Sequence, residues 1–188
     1  MSLPHPAQPG LLTFSIFANE GALLEEATRS LAATYGEPLA PPCVYPFSHT
    51  PYYEAEMGAG LEKRLVIFQA PFPREGLARA KIIGFELEKK WSRDGKGLER
   101  RVNLDPGFLA MEQFLLLTFK PRAHKVYLEA GVWADLQLLY RKETRRYEGL
   151  PWTFKDYLGE EVSRALTRGR EHLHAALARL DLLHDPRL

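Results

Sequence analysis

Apolar positions along the first half of the chain switch repeatedly between a period of two and a helical spacing. Leu11 to Ala18, rich in Phe14, Ile16 and Phe17, reads as a strand. Leu24, Ala27, Leu31 and Tyr35 then recur at helical spacing, with Asn19 as the expected cap and Gly36 as the stop. Pro38, Pro41 and Pro42 lead into a short extended piece, Cys43 to Phe47, which its prolines confine to a sheet edge. Arg64 to Ala70 is almost continuously apolar, the mark of a central strand covered on both faces, and Pro71 and Pro73 end it. A second helix is predicted from Glu75 to Arg93, burying Leu77, Ala80, Gly84, Leu87 and Trp91. Val102 and Leu104 alternate with Arg101, Asn103 and Asp105 in the strand that follows.

This order, β-α-β-β-α-β, predicts an α+β protein of the ferredoxin-like kind, a split βαβ antiparallel sheet with helices on one face. Leu109 to Phe119 reads as a short helix on its Ala, Met, Glu, Gln and Leu content. Lys125 to Glu129 and Val132 to Tyr140 alternate around Ala130-Gly131 and predict a C-terminal β-hairpin. Its core face would hold Val126, Leu128, Ala134, Leu136 and Leu138, with Trp133, Asp135 and Gln137 on the other. A long terminal helix is expected from Asp156 to Leu183, entered through the capping-box-like Thr153-x-x-Asp156. Residues 1–10, with three prolines, read as a flexible tail, and 11–188 as a single domain.

Polar chemistry concentrates in few places. Arg101, Asn103 and Asp105 set a guanidinium, an amide and a carboxylate along one strand face, just before Pro106-Gly107. Asp-Pro-Gly predicts a type II turn that would stop the strand there. An arginine can clamp a phosphate or carboxylate through parallel hydrogen bonds, and an aspartate at a strand end can move a proton. The alternative is a plain solvated face. His124, behind Lys120, is the histidine that this topology places nearest the ladder, and it supplies a second candidate acid or base. Tyr52 and Tyr53 stand beside Glu56, two phenols that either close over a ligand or seal a core edge. Lys81 and Glu86 read as surface charges on the second helix. His172 and His174 lie two apart on a helix and do not share a face, so no metal pair is expected there.

Charge narrows the partners: 25 basic against 24 acidic residues give no global field for DNA or an anionic membrane. No apolar run approaches the ~20 residues that span a bilayer, so no membrane span is expected and the cytoplasm is the default location. Cys43 is the single cysteine, read as a small buried residue. Scarce Asn, Gln, Met and Cys beside abundant Arg, Glu and Leu is the bias of a heat-tolerant protein or of a GC-rich genome. Gly-x-x-x-x-Gly-Lys-Ser/Thr, Gly-x-Gly-x-x-Gly, His-Glu-x-x-His and Gly-x-Ser-x-Gly are all absent.

Taken together, several stretches resemble the bacterial family DUF4416, a domain of unknown function. They are Pro46-Phe47 with Tyr52-Tyr53, Glu56-Met57-Gly58, Arg101-Val102-Asn103-Leu104-Asp105-Pro106-Gly107, and Lys120 with His124. Gly131-Val132-Trp133-Ala134-Asp135 and Pro151-Trp152-Thr153 with Asp156-Tyr157 complete the set. The chain departs from that pattern at Pro51, Pro121 and Lys125. Members are sometimes labelled GTP-binding, a label that does not transfer to a chain without a phosphate loop. The resemblance marks positions and implies no established activity or cofactor.

Two functions remain open on the sequence. One is a pocket for a small anionic metabolite or nucleotide, lined by Arg101, Asn103, Tyr52, Tyr53, Glu56 and Lys120. Hydrolysis or phosphoryl transfer would then fall to Asp105 or His124. The other is a non-catalytic module offering Tyr127, Trp133 and basic Arg145-Arg146 to a protein or RNA partner, or to a second copy in a homodimer.

Overall fold

The computed structural model of the chain describes residues 6–47 and 53–182. Eight strands form one antiparallel sheet: β1 (Gly10–Ala18), β2 (Cys43–Pro46), β3 (Glu62–Phe72), β4 (Val102–Leu109), β5 (Gln113–Thr118), β6 (Val126–Tyr127), β7 (Trp133–Arg141) and β8 (Arg146–Gly149). Their order is β2-β3-β1-β4-β5-β7-β6, with β8 also paired to β7. The helices are α1 (Gly21–Tyr35), α2 (Glu54–Met57), α3 (Leu77–Trp91) and α4 (Glu160–Arg179).

All nine residues of β1 are buried, because both sheet faces are covered. Leu12, Phe14, Ile16 and Ala18 pack with Val66, Phe68, Val102 and Leu104 under Leu24, Ala27 and Leu31 of α1 and Ala80 of α3. The opposite parity, Leu11 with Leu65, Ile67, Leu109, Phe114 and Leu138, packs under Val162, Leu166, Leu173 and Leu177 of α4. Helices therefore lie on both faces, not on one as the sequence pattern suggests. α4 covers only part of its face. It seats over the end where β1 begins and β4 finishes, leaving the other end, with Lys63, Phe17, Asn103 and Asp105, to be closed by loops.

Two local expectations change. Ala110 to Glu112 form a tight turn closed by Ala110 N–H on the Gln113 carbonyl (as Gln113 opens β5), 2.9 Å from it, so the stretch read as a helix is a second strand. Phe114 and Leu116 face α4 while Leu115 and Leu117 pack beneath Leu77 and Ala78. A strand apolar on both faces carries no alternation to distinguish it from a helix.

Asp105-Pro106-Gly107 is likewise no turn. β4 runs straight through it, pairing with β1 along its whole length (Ala18↔Val102 to Leu11↔Leu109). With β5, pairing starts only at Gly107↔Leu116 and runs to Leu109↔Phe114. Proline brings no N–H to a ladder, which suits Pro106 to the point where β4 is locally an edge. Glycine serves close approach: a Cβ on Gly107 would stand 2.6 Å from Thr13 Oγ1 and 2.9 Å from the Leu115 carbonyl oxygen.

The remaining elements follow the sequence with smaller changes. The hairpin forms, with Val126↔Ala134 and Tyr127↔Trp133 paired, but β6 is two residues long. Val126 is exposed, whereas Asp135 and Gln137, expected on an open face, are buried. Glu20, not Asn19, occupies the N-cap of α1, without a side-chain cap bond. α4 begins at Glu160 after a 3-10 turn over Lys155–Leu158, so Thr153 and Asp156 do not cap it. No helix of the described residues is long and apolar enough to cross a membrane.

Gly107→Ala is expected to cost about 1–3 kcal/mol, because the methyl meets backbone that cannot yield cheaply. Urea unfolding of the two proteins checks this, and equal midpoints would refute the close-approach role.

Candidate functional site

At the end of the sheet that α4 leaves uncovered lies a cavity of about 540 Å³. Its floor is built by strand parity. Ser15↔Leu65, Phe17↔Lys63, Ser15↔Asp105 and Phe17↔Asn103 are cross-strand partners, so Lys63, Phe17 and Asp105 share a face. Across the β4–β5 opening, Leu116↔Asp135 continues it. The walls are Phe47, Tyr53 and the segment Trp152 to Tyr157, and Lys120, Arg122, His124 and Lys125 come from the β5–β6 loop. A second lobe of about 400 Å³ adjoins it through the opening, bounded by Glu56, Lys81, Phe85, Glu88, Arg100 and Asn103. Tyr53, Asp105, Leu116, Lys120, Lys125, Asp135 and Phe154 border both lobes.

Three lysine–aspartate pairs meet in this cleft. Lys63 Nζ donates to Asp156 Oδ2 at 2.5 Å, with both side chains buried. The ammonium lies 4.5 Å from the Tyr157 ring centroid and 5.1 Å from that of Phe47, a cation–π box. Lys81, from α3 on the far face, reaches through the opening to Asp105 Oδ1 (3.0 Å) and the Leu104 carbonyl (3.2 Å). It is therefore buried, not the surface charge its sequence context implies. Lys125 Nζ holds Asp135 Oδ2 at 2.9 Å.

The polar ladder of β4 is also real, with one member exchanged. Arg100, not Arg101, joins it: Nε and Nη2 grip Glu56 at 2.8 and 2.7 Å, and Nη1 donates to Asn103 Oδ1 at 2.6 Å. Asn103 Nδ2 donates on to Asp105 Oδ2 at 2.8 Å, so both ends of the amide are used. Arg101 precedes the strand and forms a bidentate surface pair with Glu20, outside the lining of either lobe. Tyr53 stacks edge-on against Phe17, 4.8 Å between centroids, sealing the pocket floor. Tyr52 lies outside the described residues.

The carboxylates differ in state. Burial pushes Asp105 up, but Lys81 beside it, the bond from Asn103 and the field of Lys63 outweigh that and hold it below its usual value. It stays ionised, which suits it to electrostatics rather than proton donation. Burial raises Glu88 to about 7, opposed by Lys81 and by the Leu104 N–H it accepts at 2.5 Å, and aided by the charge of Asp105. Arg100 holds Glu56 below the ordinary range against a burial effect. Tyr157, hydrogen-bonded to Ser15 at 2.5 Å, is pushed far up by burial and stays a phenol.

His124 lies at the rim, its Nε2 3.3 Å from Asp135 Oδ1 and its ring stacked on Trp152 at 4.8 Å and 17°. Asp105, Asn103, Tyr53, Glu56, Lys120 and His124 thus border one two-lobed cleft. Lys63, Lys81, Glu88, Asp135 and Asp156 were missed in the sequence, although Lys63 shares the parity of Leu65 and Ile67, and Lys81 and Glu88 lie on the stripe of Leu77 and Gly84. Among the described residues no group of three or more His, Cys, Asp or Glu is arranged to hold a metal ion.

The family model of DUF4416, a domain of unknown function, matches residues 8–173, and the chain belongs to that family. No curated protein and no solved structure matches the chain.

Glu88 makes stability depend on pH. Its folded pKa lies above its unfolded value, so the native state keeps a proton that the unfolded chain has lost between about pH 4.5 and 7. Stability attributable to this group is greatest below that window and is lost as pH rises through it, by on the order of 3 kcal/mol at full effect. Glu88→Gln should flatten that slope and raise stability at pH 8 relative to wild type, as denaturant unfolding at pH 5 and 8 would show. A wild-type slope retained in the variant would contradict the assignment. Lys63→Met should cost about 3–5 kcal/mol by stranding Asp156, and adding Asp156→Leu should recover most of it. A double variant no more stable than the single one would argue against the pairing account.

Proposed function

We propose that this member of the DUF4416 family binds a small organic anion in the two-lobed cleft, with a phosphate or carboxylate at the basic rim and a planar body against the aromatic walls. The observation that carries the reading is the composition of the 540 Å³ lobe. Five lysines and arginines line it against three aspartates, among Phe17, Phe47, Tyr157, Trp152 and Phe154. Lys63 and Lys125 are committed to Asp156 and Asp135. Arg122 and Lys155 have no side-chain partner among the described residues, and they are the rim cations a ligand would meet first. A guanidinium and an ammonium at the mouth of a partly apolar pocket favour an anion over a neutral ligand, and the field is strongest where water is thinned. Nucleotides and aromatic acids both combine the two required features.

Asp105, Asn103, Tyr53, Glu56 and Lys120 enter this reading as the shared wall of the lobes. Asp105 fixes Lys81 and orders Asn103. We also read β1 to β4, with α1 and α3, as a ferredoxin-like split βαβ unit within a single domain, supported by the order β2-β3-β1-β4. β5 to β8 then extend that unit and supply the second half of the cleft.

A second reading, a non-catalytic docking surface, draws on one specific feature. Val126 (66% exposed) and Tyr127 (53%) stand open on the short edge strand, with Tyr127 edge-on to Trp133 at 5.3 Å. Such a patch suits a protein or RNA partner, or a second copy of the chain.

Calorimetry and thermal unfolding with phosphate, pyrophosphate, a nucleoside monophosphate and benzoate test the first reading. At least one should bind, more weakly as salt rises. Arg122→Ala with Lys155→Ala should weaken it about tenfold or more, from the loss of charge-assisted contacts. Wild-type protein silent to all four would overturn the pocket reading.

A further inference from the structure

We infer that His124 and Asp135 form an acid–base pair and that the cleft hydrolyses a phosphate ester, an inference that rests on the anion-binding reading above. The case begins with Asp135. It is 2% exposed in β7, and one carboxylate oxygen is held by Lys125 at 2.9 Å. The other, Oδ1, is buried and accepts no hydrogen bond. A buried carboxylate oxygen without a donor is costly, and such groups in native proteins call for a reason. The side-chain nitrogen that faces it is His124 Nε2 at 3.3 Å, close enough to pair but not aligned as a hydrogen bond. Catalytic bonds of this kind are often long in the ligand-free protein and tighten when substrate closes the site.

The imidazole is positioned as well as near. It stacks on the indole of Trp152 at 4.8 Å with 17° between planes. That indole is itself fixed, its Nε1 donating to the Leu136 carbonyl at 2.7 Å, one residue along β7 from Asp135. One strand therefore carries both the carboxylate that faces Nε2 and the carbonyl that sets the ring plane. Once that contact tightens into a hydrogen bond, Nε2–H on Asp135 fixes the tautomer in which Nδ1 bears the lone pair. Nδ1 has no partner among the described residues, and His124 lines the larger lobe at 26% side-chain exposure. The arrangement suits a general base: a fixed ring, an oriented proton on the far nitrogen, and a carboxylate to offset the imidazolium once it forms.

Asp105 does not compete for this role. Lys81 and Asn103 occupy its two oxygens and it stays ionised. The same lobe carries Arg122 and Lys155, the two cations with no side-chain partner among the described residues. A phosphoryl group fits that surround because its equatorial oxygens carry charge through the transfer. In the step, Nδ1 takes a proton from a water whose oxygen bonds to phosphorus. The bond from phosphorus to the ester oxygen breaks, the electron pair leaves with that oxygen, and the proton on Nδ1 passes to it. The products are phosphate and an alcohol or phenol, with no change of oxidation state. His124 is the catalytic residue and Asp135 the positioning residue.

The test uses the full chain with p-nitrophenyl phosphate and bis(p-nitrophenyl) phosphate as probes, with inorganic phosphate as competitor. Wild type should turn over at least one ester and be inhibited by phosphate. His124→Gln should lower kcat on the order of 10²–10⁴-fold while phosphate binding by calorimetry stays within threefold. His124→Gly should regain activity with added imidazole. Asp135→Asn should lower kcat with KM little changed, and ¹⁵N spectra should show the proton no longer confined to Nε2. A merely structural role would leave that tautomer signature unmoved. If Asp135→Asn does not fold, Trp152→Leu, which removes the ring's stacking partner, should lower kcat in the same direction. Turnover undiminished in His124→Gln overturns the inference. So does a wild type that binds phosphate yet hydrolyses neither ester, an outcome that leaves the binding reading standing. A wild type that binds no anion at all overturns the binding reading itself, and this inference with it.

Discussion

The cleft depends on one interruption in backbone pairing. β4 is hydrogen-bonded to β1 from Val102 to Leu109, but to β5 only from Gly107 onward. Pro106 has no N–H to offer, and the residues before it are left without a β5 partner. The sheet opens there, and the opening joins its two faces. Lys81 starts from α3 on one face and reaches Asp105, whose side chain belongs to the other. In a continuous sheet those two groups would be separated by a layer of paired backbone. Gly107 is the counterpart of Pro106: it lets β4, Thr13 and β5 close tightly where the ladder resumes. The two residues that look like a turn mark where the gap closes, Pro106 as its last residue and Gly107 as the first of the resumed ladder.

The interruption alone would make a hole, and α4 decides which part of it stays accessible. Its apolar stripe seats on Leu11, Leu109, Phe114 and Leu138, at one end of the sheet. Among the described residues, the polar positions of the other end are closed by Phe47, Tyr53, the β5–β6 loop and Trp152 to Tyr157. Three lysine–aspartate pairs collect in that space, Lys63–Asp156 and Lys125–Asp135 with both side chains buried and Lys81–Asp105 with a buried lysine and a partly exposed aspartate. Such pairs roughly break even against apolar packing at best, and more often cost stability. Three of them bordering one cavity is therefore a departure from what folding alone favours. It is the kind of local inconsistency that marks a functional region.

Sequence periodicity was a reliable guide to the helices, where one face is dry and the other wet, and it placed α1, α3 and α4 within a few residues. β1 and β3 were read instead from short apolar runs rich in Phe, Ile and Val. Periodicity failed at β5, where Phe114 to Leu117 are apolar on both sides and no alternation survives. It misread Asp105-Pro106-Gly107 because the same three residues serve a turn or a local edge, and only the neighbouring strand decides between them. Within the candidate site, Asn103 and Asp105 were legible from parity, but Arg101 lies one residue before β4 begins. Lys63, Lys81 and Glu88 were within reach: each falls on an apolar stripe, where a charge signals a buried partner. The partner itself was not legible. Lys63 and Asp156 are 93 positions apart, and no local pattern encodes that contact.

Lys81 also shows why counting charges along the chain understates this cleft. Asp105 and Glu88 both feel Lys81, yet burial dominates only at Glu88. Asp105 has direct bonds from Lys81 and Asn103 and the field of Lys63 to support its charge. Glu88 has one backbone N–H, a more distant ammonium, and the like charge of Asp105 against it. At neutral pH Glu88 therefore carries only part of its formal charge, while the bonds from Glu56 hold the Arg100 guanidinium fully charged. The balance inside the second lobe shifts toward positive without any residue being added. A chain with 25 basic and 24 acidic residues can in this way present a locally cationic interior. That interior, and not the net charge of the molecule, sets the local field inside the cleft.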